Sequence, residues 1–323
     1  MGVISIRLFG RISVQQDAQP LTGLSGKALE LLCYVVLFRD RAHTREALAG
    51  LLWPDVSENL SKKYLRQTLW QLRVALRGHA DAKQAAEPLL ALNPGWVGVN
   101  PGASLWLDVA ALEQAHADCR DVPAHDLTDP QARAMEAAAV LYRGDLIEAW
   151  YQDWCIYERD RLQLTYLAIL EKLTSYCEAR RLHTKGVAYG QRILRYDPAR
   201  ESTHRQLMRL YCEAGDRTAA LRQYERCAAA MAKEFDLRPS RETLALYQKV
   251  RGDHLEAAPR RPGDGEPAGE AHGEPLVDLR RRLDHLQASL LAFQDQVQRE
   301  LNAISRVLRV GQKTPRQTSH ETR

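Results

Sequence analysis

The sequence predicts a mainly α chain with a small β component. Three observations predict it. The chain opens on alternation, with Val3, Ile4, Ile6 and Leu8 set against Ser5 and Arg7. Residues 130–251 carry apolar residues at helical spacing and few strand signals. A stretch rich in Pro, Gly and Glu, Leu255–Glu274, then precedes a last periodic segment, Leu276–Val310. These shifts divide the chain into a mixed domain at 1–105, a helical domain at 106–253 and a disordered linker at 254–275. A helix at 276–310 and a polar, disordered tail at 311–323 complete the expected layout.

The elements of the mixed domain follow in order. Gly10 breaks the first alternation and Ile12-Ser13-Val14 resumes it, which predicts two or three short antiparallel strands. Ser25 is placed to cap a helix with Leu29, Leu32, Val36 and Leu37 on its apolar face. Thr44 is placed to cap a second, short helix with Leu48, Leu51 and Leu52 facing in and Pro54 beyond it. A third helix runs from about Glu58 to Arg77. Leu89–Leu92 and Trp96–Val99 flank Asn93-Pro94-Gly95, a turn suited to a hairpin. Strands, three helices and a hairpin make the order of a winged helix-turn-helix, whose third helix enters the DNA major groove.

Charge location supports that reading. Lys and Arg total 45 against 41 Asp and Glu, a net of +4. Residues 1–105 hold 12 basic and 8 acidic residues, so the whole excess lies there. Asn59–Gly78 carries five basic residues and no acidic one. On a helical wheel with Leu65 at zero, Leu69, Leu72 and Leu76 lie within about 40° of it. Lys62, Arg73, Arg66, Arg77 and Lys63 lie at about 60°, 80°, 100°, 120° and 160°, and Trp70 and Gln67 continue the arc. Lys and Arg displace counterions from phosphates. Arg66, Gln67 and Arg73 have the fork or amide geometry that reads purine edges, while Lys62, Lys63 and Arg77 suit phosphate contacts. The bland alternative is a solvated basic face.

Other chemistry finds little support. Cys33, Cys119, Cys155, Cys177, Cys212 and Cys227 form no C-x-x-C pair, so they read as small buried hydrophobes in a reducing cytosol and no metal is expected. Gly23-Leu24-Ser25-Gly26-Lys27 has the wrong spacing for a phosphate loop. No G-x-S-x-G, H-E-x-x-H or G-x-G-x-x-G motif occurs, and neither enzyme activity nor a cofactor is expected. The longest apolar run, Leu31–Phe38, is far too short for a membrane span, and the N-terminus does not read as a secretory signal. A cytoplasmic protein is expected.

The first third resembles the OmpR-type winged helix of SARP-type (antibiotic regulatory protein) transcriptional activators. The resemblance is carried by Ile6-Arg7-Leu8-Phe9-Gly10, Gly26-Lys27-Ala28-Leu29, Thr44-Arg45-Glu46-x-Leu48 and Leu52-Trp53-Pro54. Leu65-Arg66-Gln67-x-Leu69-x-x-Leu72-Arg73-x-x-Leu76 and Asn93-Pro94-Gly95-Trp96 extend it. The helical middle is similar to the bacterial transcriptional activator domain of the same family. Tyr142-Arg143-Gly144-Asp145-Leu146, Glu158-Arg159-x-Arg161-Leu162, Ala219-Ala220-Leu221-x-x-Tyr224 and Glu234-Phe235-Asp236-Leu237-Arg238-Pro239-Ser240 carry that part. The resemblance covers about residues 3–251. It implies promoter activation, self-association and contact with RNA polymerase. Extended family members often carry an ATPase module, whose Walker motif is missing from this sequence.

The middle also repeats itself. Leu173, Tyr176, Cys177, Val187 and Ile193 match Leu207, Leu210, Tyr211, Leu221 and Cys227 at an offset of 34, with Gly186 matching Ala220. This is the tetratricopeptide period, and a TPR-like helical domain is expected, with an ordinary antiparallel bundle as the alternative. Asp129-Pro130, Asp197-Pro198 and Pro239-Ser240 read as helix starts. In the last segment Leu276, Leu279, Leu283, Leu286, Leu290, Phe293, Val297, Leu301, Ile304 and Leu308 form a heptad-like seam. That stripe needs a partner. A homodimeric coiled coil is expected, with packing on the helical middle or on another protein left open. Two functions remain: a DNA-binding transcription regulator on double-stranded DNA, or a helical-repeat scaffold whose winged helix contacts protein.

Overall fold

The computed structural model describes residues 3–21, 23–24, 26–77, 88–148 and 150–252. Ser25 and the expected linker, coiled-coil helix and tail lie outside them.

The opening alternation becomes a sheet. In β1 (Ile4–Arg7), Ile4 and Ile6 are buried while Ser5 and Arg7 are half-buried. β1 pairs antiparallel with β2 (Ser13–Gln16), which pairs antiparallel with β3 (Gln19–Pro20). Asp17 and Ala18 connect β2 to β3 with φ of 50° and 64°. Two successive left-handed residues are what a tight hairpin needs to match strand twist. The helices are α1 (Gly26–Leu37), α2 (Arg45–Leu52) and α3 (Glu58–Arg77). Thr44 caps α2, its hydroxyl accepting the Ala47 N–H at 3.2 Å. The α3 stripe is buried as expected at Leu65, Leu69 and Leu72 and half-buried at Leu76.

A second sheet forms the wing. β4 (His43–Thr44), β5 (Leu90–Asn93) and β6 (Trp96–Val99) lie in the order β4-β6-β5, with Gly95 at a φ of 85° in the hairpin turn. β7 (Leu105–Leu107) then returns to the first sheet and pairs parallel with β1, Ile6 opposite Leu107. This strand crosses the expected boundary between residues 105 and 106.

The helical part contains α4 (Asp108–Cys119), α5 (Asp129–Leu141), α6 (Asp153–Ala179), α7 (His183–Tyr196), α8 (Glu201–Glu213), α9 (Arg217–Phe235) and α10 (Arg241–Gly252). Thr128 and Gln131 cap α5 reciprocally, with Pro130 in its first turn. Asp197-Pro198 differs from expectation. Asp197 closes α7, and α8 starts at Glu201.

The 34-residue repeat is physical. The α6–α7 and α8–α9 hairpins turn at matching left-handed residues, Arg181 with φ 57° and Gly215 with φ 81°. Leu182 N–H reaches the Cys177 carbonyl and Asp216 N–H reaches the Tyr211 carbonyl, both at 2.8 Å. Each is the six-to-one closure that ends a helix on a left-handed residue. Leu173 and Leu207 are buried, as are Ile193 and Cys227. Gly186 and Ala220, both buried, let the paired helices approach.

The winged helix and the helical part share one apolar core. Backbone bonds join them: Gly10 N–H to the Asp145 carbonyl and Ile147 N–H to the Leu8 carbonyl, each at 2.8 Å. Glu113 on α4 pairs with Arg39 beyond α1 at 2.7 Å and with Arg161 on α6 at 2.6 Å. The Tyr34 and Trp154 rings meet edge-on at 5.4 Å.

Candidate nucleic-acid interface

The candidate site is the outer face of α3. Its apolar stripe packs inward, so helical geometry turns the opposite side to solvent. Lys63, Arg66, Gln67, Trp70 and Arg73 are all exposed. Trp70 leaves 66% of its surface accessible, although burying an indole is strongly favourable. Arg66 and Arg73 flank it four residues before and three after, so all three share one helical face. Val74 adds a second exposed apolar group one turn beyond Trp70. The result is a cationic surface with an aromatic at its middle, equipped for phosphates, base edges and thymine methyls.

Lys62 departs from the expected set of free cations. Its Nζ lies 2.7 Å from Glu58 Oε1 and 3.6 Å from Glu46 Oε1. The hydrogen bond to Glu58 holds the Lys62 ammonium above its usual pKa and the Glu58 carboxyl below its own. Glu58 stands one residue before the acid-free window, and Glu46 comes from α2, so a linear scan of Asn59–Gly78 misses both. Lys62 ties α3 to α2. Arg77 lies in the last turn of α3.

The wing is anchored to α2. Arg45 N–H donates to the Gly95 carbonyl at 2.9 Å, and Thr44 pairs with Trp96. Trp96, at the wing turn, is 49% exposed. Arg45 Nε is buried with no hydrogen-bond partner among the described residues. Neither Arg45 nor Trp96 belongs to the set expected from charge periodicity, because neither lies on α3. Trp53 packs on Tyr64 with ring centroids 5.8 Å apart, fixing the α2–α3 turn.

Other chemistries find no constellation among the described residues. No group of His, Cys, Asp and Glu there is placed to hold a metal. The six cysteines form no disulfide among the described residues, and burial pushes the thiols of Cys155 to about 12 and Cys177 and Cys227 to about 11. Such thiols are poor nucleophiles at neutral pH. No described helix is long and apolar enough to cross a membrane.

Comparison with known proteins agrees with this architecture. Residues 107–251 match the family model of the bacterial transcriptional activator domain. No curated protein matches the chain. Among solved structures, Mycobacterium tuberculosis EmbR in complex with a low affinity phosphopeptide is similar, with a TM-score of 0.56 and 19% identity. The likeness covers 78% of this chain and 66% of that one, so the chain spans just under two thirds of its length. At that identity it shows a shared fold. Residues 107–251 are thus similar to the bacterial transcriptional activator domain, in line with the resemblance to the SARP-type activators.

Proposed function

We propose that the chain is a sequence-specific DNA-binding transcriptional regulator, and that it activates promoters in the cytoplasm rather than catalysing a reaction. Its partner is double-stranded DNA, held by α3 in the major groove. Lys63 and Arg77 contact phosphates, Arg66, Gln67 and Arg73 read base edges, and Trp70 packs against the duplex. Lys62 acts mainly through its ties to Glu58 and Glu46. The helical domain contacts RNA polymerase, and the 276–310 segment holds two copies together on a paired site.

One observation carries this reading. Lys63, Arg66, Gln67, Trp70 and Arg73 are exposed together on the sector of α3 beside its buried stripe. Within a winged helix, that is the face available to a groove.

The test is a gel shift on promoter fragments with Arg66→Ala and Arg73→Ala, alongside circular dichroism. Each variant is expected to keep its helical spectrum and lose about 5- to 150-fold in specific affinity. Variants that fold and shift DNA like the parent would refute the assignment. For self-association, deletion of residues 276–323 is expected to halve the sedimentation mass and weaken binding to a two-site operator. An unchanged mass would exclude that segment as the dimeriser.

A further inference from the structure

Away from α3, the junction between the first sheet and the helical domain forms an open cavity of about 280 Å³. Three arginines line it, each from a different element. Arg7 ends β1, Arg11 lies in the β1–β2 turn, and Arg143 follows α5. Ser13, which opens β2, adds a hydroxyl. The seam holds these pieces in place, because Gly10 N–H bonds to Asp145 and Glu148 N–H bonds to Gly10.

Their charges outnumber the carboxylates beside them by one. Two carboxylates line the same cavity, Asp108 and Glu148. Asp108 accepts the N–H groups of Leu8, Phe9 and Val109 at 2.8–3.0 Å and interacts electrostatically with Arg7. Among the described residues, none of the three arginines forms an ion pair. Arg7 rests over the Trp106 ring, 5.7 Å from its centroid, which orients the guanidinium without neutralising it. Arg7 is half-buried while Arg11 and Arg143 are exposed, and an anion held among the three is attracted by each guanidinium. A guanidinium fork matches the oxygens of a phosphoryl group, and a serine hydroxyl supplies a further donor.

We infer that this cavity binds a small dianion bearing a phosphoryl group, either inorganic phosphate or a phosphorylated metabolite. Its size lies just below the usual range for ligand pockets, about 300–1,000 Å³. Because the lining comes from both sides of the seam, the anion would bridge the DNA-binding and helical domains. Glu148 is the one lining carboxylate not already committed, and it opposes binding.

The experiment is calorimetric titration of the full chain at matched ionic strength, first with inorganic phosphate and then with glycerol 3-phosphate. Saturable one-to-one binding of at least one is expected, and the tighter of the two identifies the source. Arg11→Ala and Arg143→Ala are expected to weaken it about tenfold each, as loss of a charge-assisted bond would. Glu148→Gln is expected to tighten it, an effect a merely structural role would not produce. Arg133→Ala, an exposed arginine of α5 away from the cavity, is expected to leave it unchanged. No saturable binding of either probe overturns the proposal. So does binding that ignores Arg11→Ala and Arg143→Ala, or that Arg133→Ala weakens equally. None of these results depends on whether α3 reads DNA.

Discussion

The Leu8 N–H points between the two oxygens of Asp108, 2.9 Å from each. Phe9 N–H adds a bond at 3.0 Å. A carboxylate at the start of α4 thereby satisfies two backbone donors that extend β1 past its last ladder position. Asp108→Ala would leave both N–H groups buried and unpaired. Each such group costs about 1–3 kcal/mol. Urea denaturation is expected to show a loss of at least about 2 kcal/mol, whereas Asp118→Ala, on the exposed face of α4, stays within about 0.5 kcal/mol.

Two glycines make opposite predictions. A Cβ on Gly190 would lie 2.6 Å from Leu207 Cδ2 and 2.9 Å from its Cγ, both in the buried α7–α8 contact. Gly190→Ala is expected to destabilise by about 1–3 kcal/mol through overpacking. Gly50, inside α2, meets nothing within 4 Å. Gly50→Ala is expected to stabilise by about 0.5–1 kcal/mol, because alanine has less backbone freedom to lose. Thermal melts of the two variants check both signs.

His204 makes the helical domain acid-sensitive. It is buried, with Nε2 2.8 Å from the Pro198 carbonyl and Nδ1 2.7 Å from Gln223 Nε2. That arrangement suits a neutral ring donating to Pro198 and accepting from Gln223. Burial is the largest influence, and the folded pKa lies below the ordinary histidine value. The unfolded chain therefore binds the proton more readily, and stability rises with pH through the window below about 6.5. Acidification through that window is expected to lower stability, and His204→Gln to flatten the slope. An unchanged slope in the variant would count against His204 as its source.

Lys62 and Arg66 are four residues apart and are expected to behave differently. Lys62 is bound to Glu58 and Glu46, so Lys62→Ala should cost DNA affinity less than Arg66→Ala does. Lys63→Ala should reduce the dependence of log K on log salt by about 1. Competition titrations at several salt concentrations measure all three.

Much of this architecture was legible in the sequence because it rests on local chemistry. Thr44, the Leu65-Leu69-Leu72 stripe and the Gly95 turn act within a few residues of themselves. What stayed hidden depends on distant partners. β7 is three residues long and earns its place only by pairing with β1, about a hundred positions earlier. Nothing near Asp108 in the sequence marks it as the acceptor for Leu8 and Phe9, about a hundred positions earlier. The charge on Lys62 looks free until α2 delivers Glu46. The same limit hid the arginine-lined cavity, since Arg7, Arg11 and Arg143 converge only when the seam closes. Left-handed Arg181 was equally silent, because nothing in its neighbouring sequence marks a non-glycine for the φ of 57° that the α6–α7 turn demands.

The most direct test of the central claim is fluorescence anisotropy of the full chain on a promoter fragment and a scrambled duplex across a salt series. The parent is expected to prefer the promoter and to lose affinity log-linearly with salt. The Arg66→Ala/Arg73→Ala double variant is expected to bind both duplexes alike and weakly. Salt-independent binding by the parent, or a promoter preference that survives in the double variant, would contradict the assignment of α3 as the reading helix.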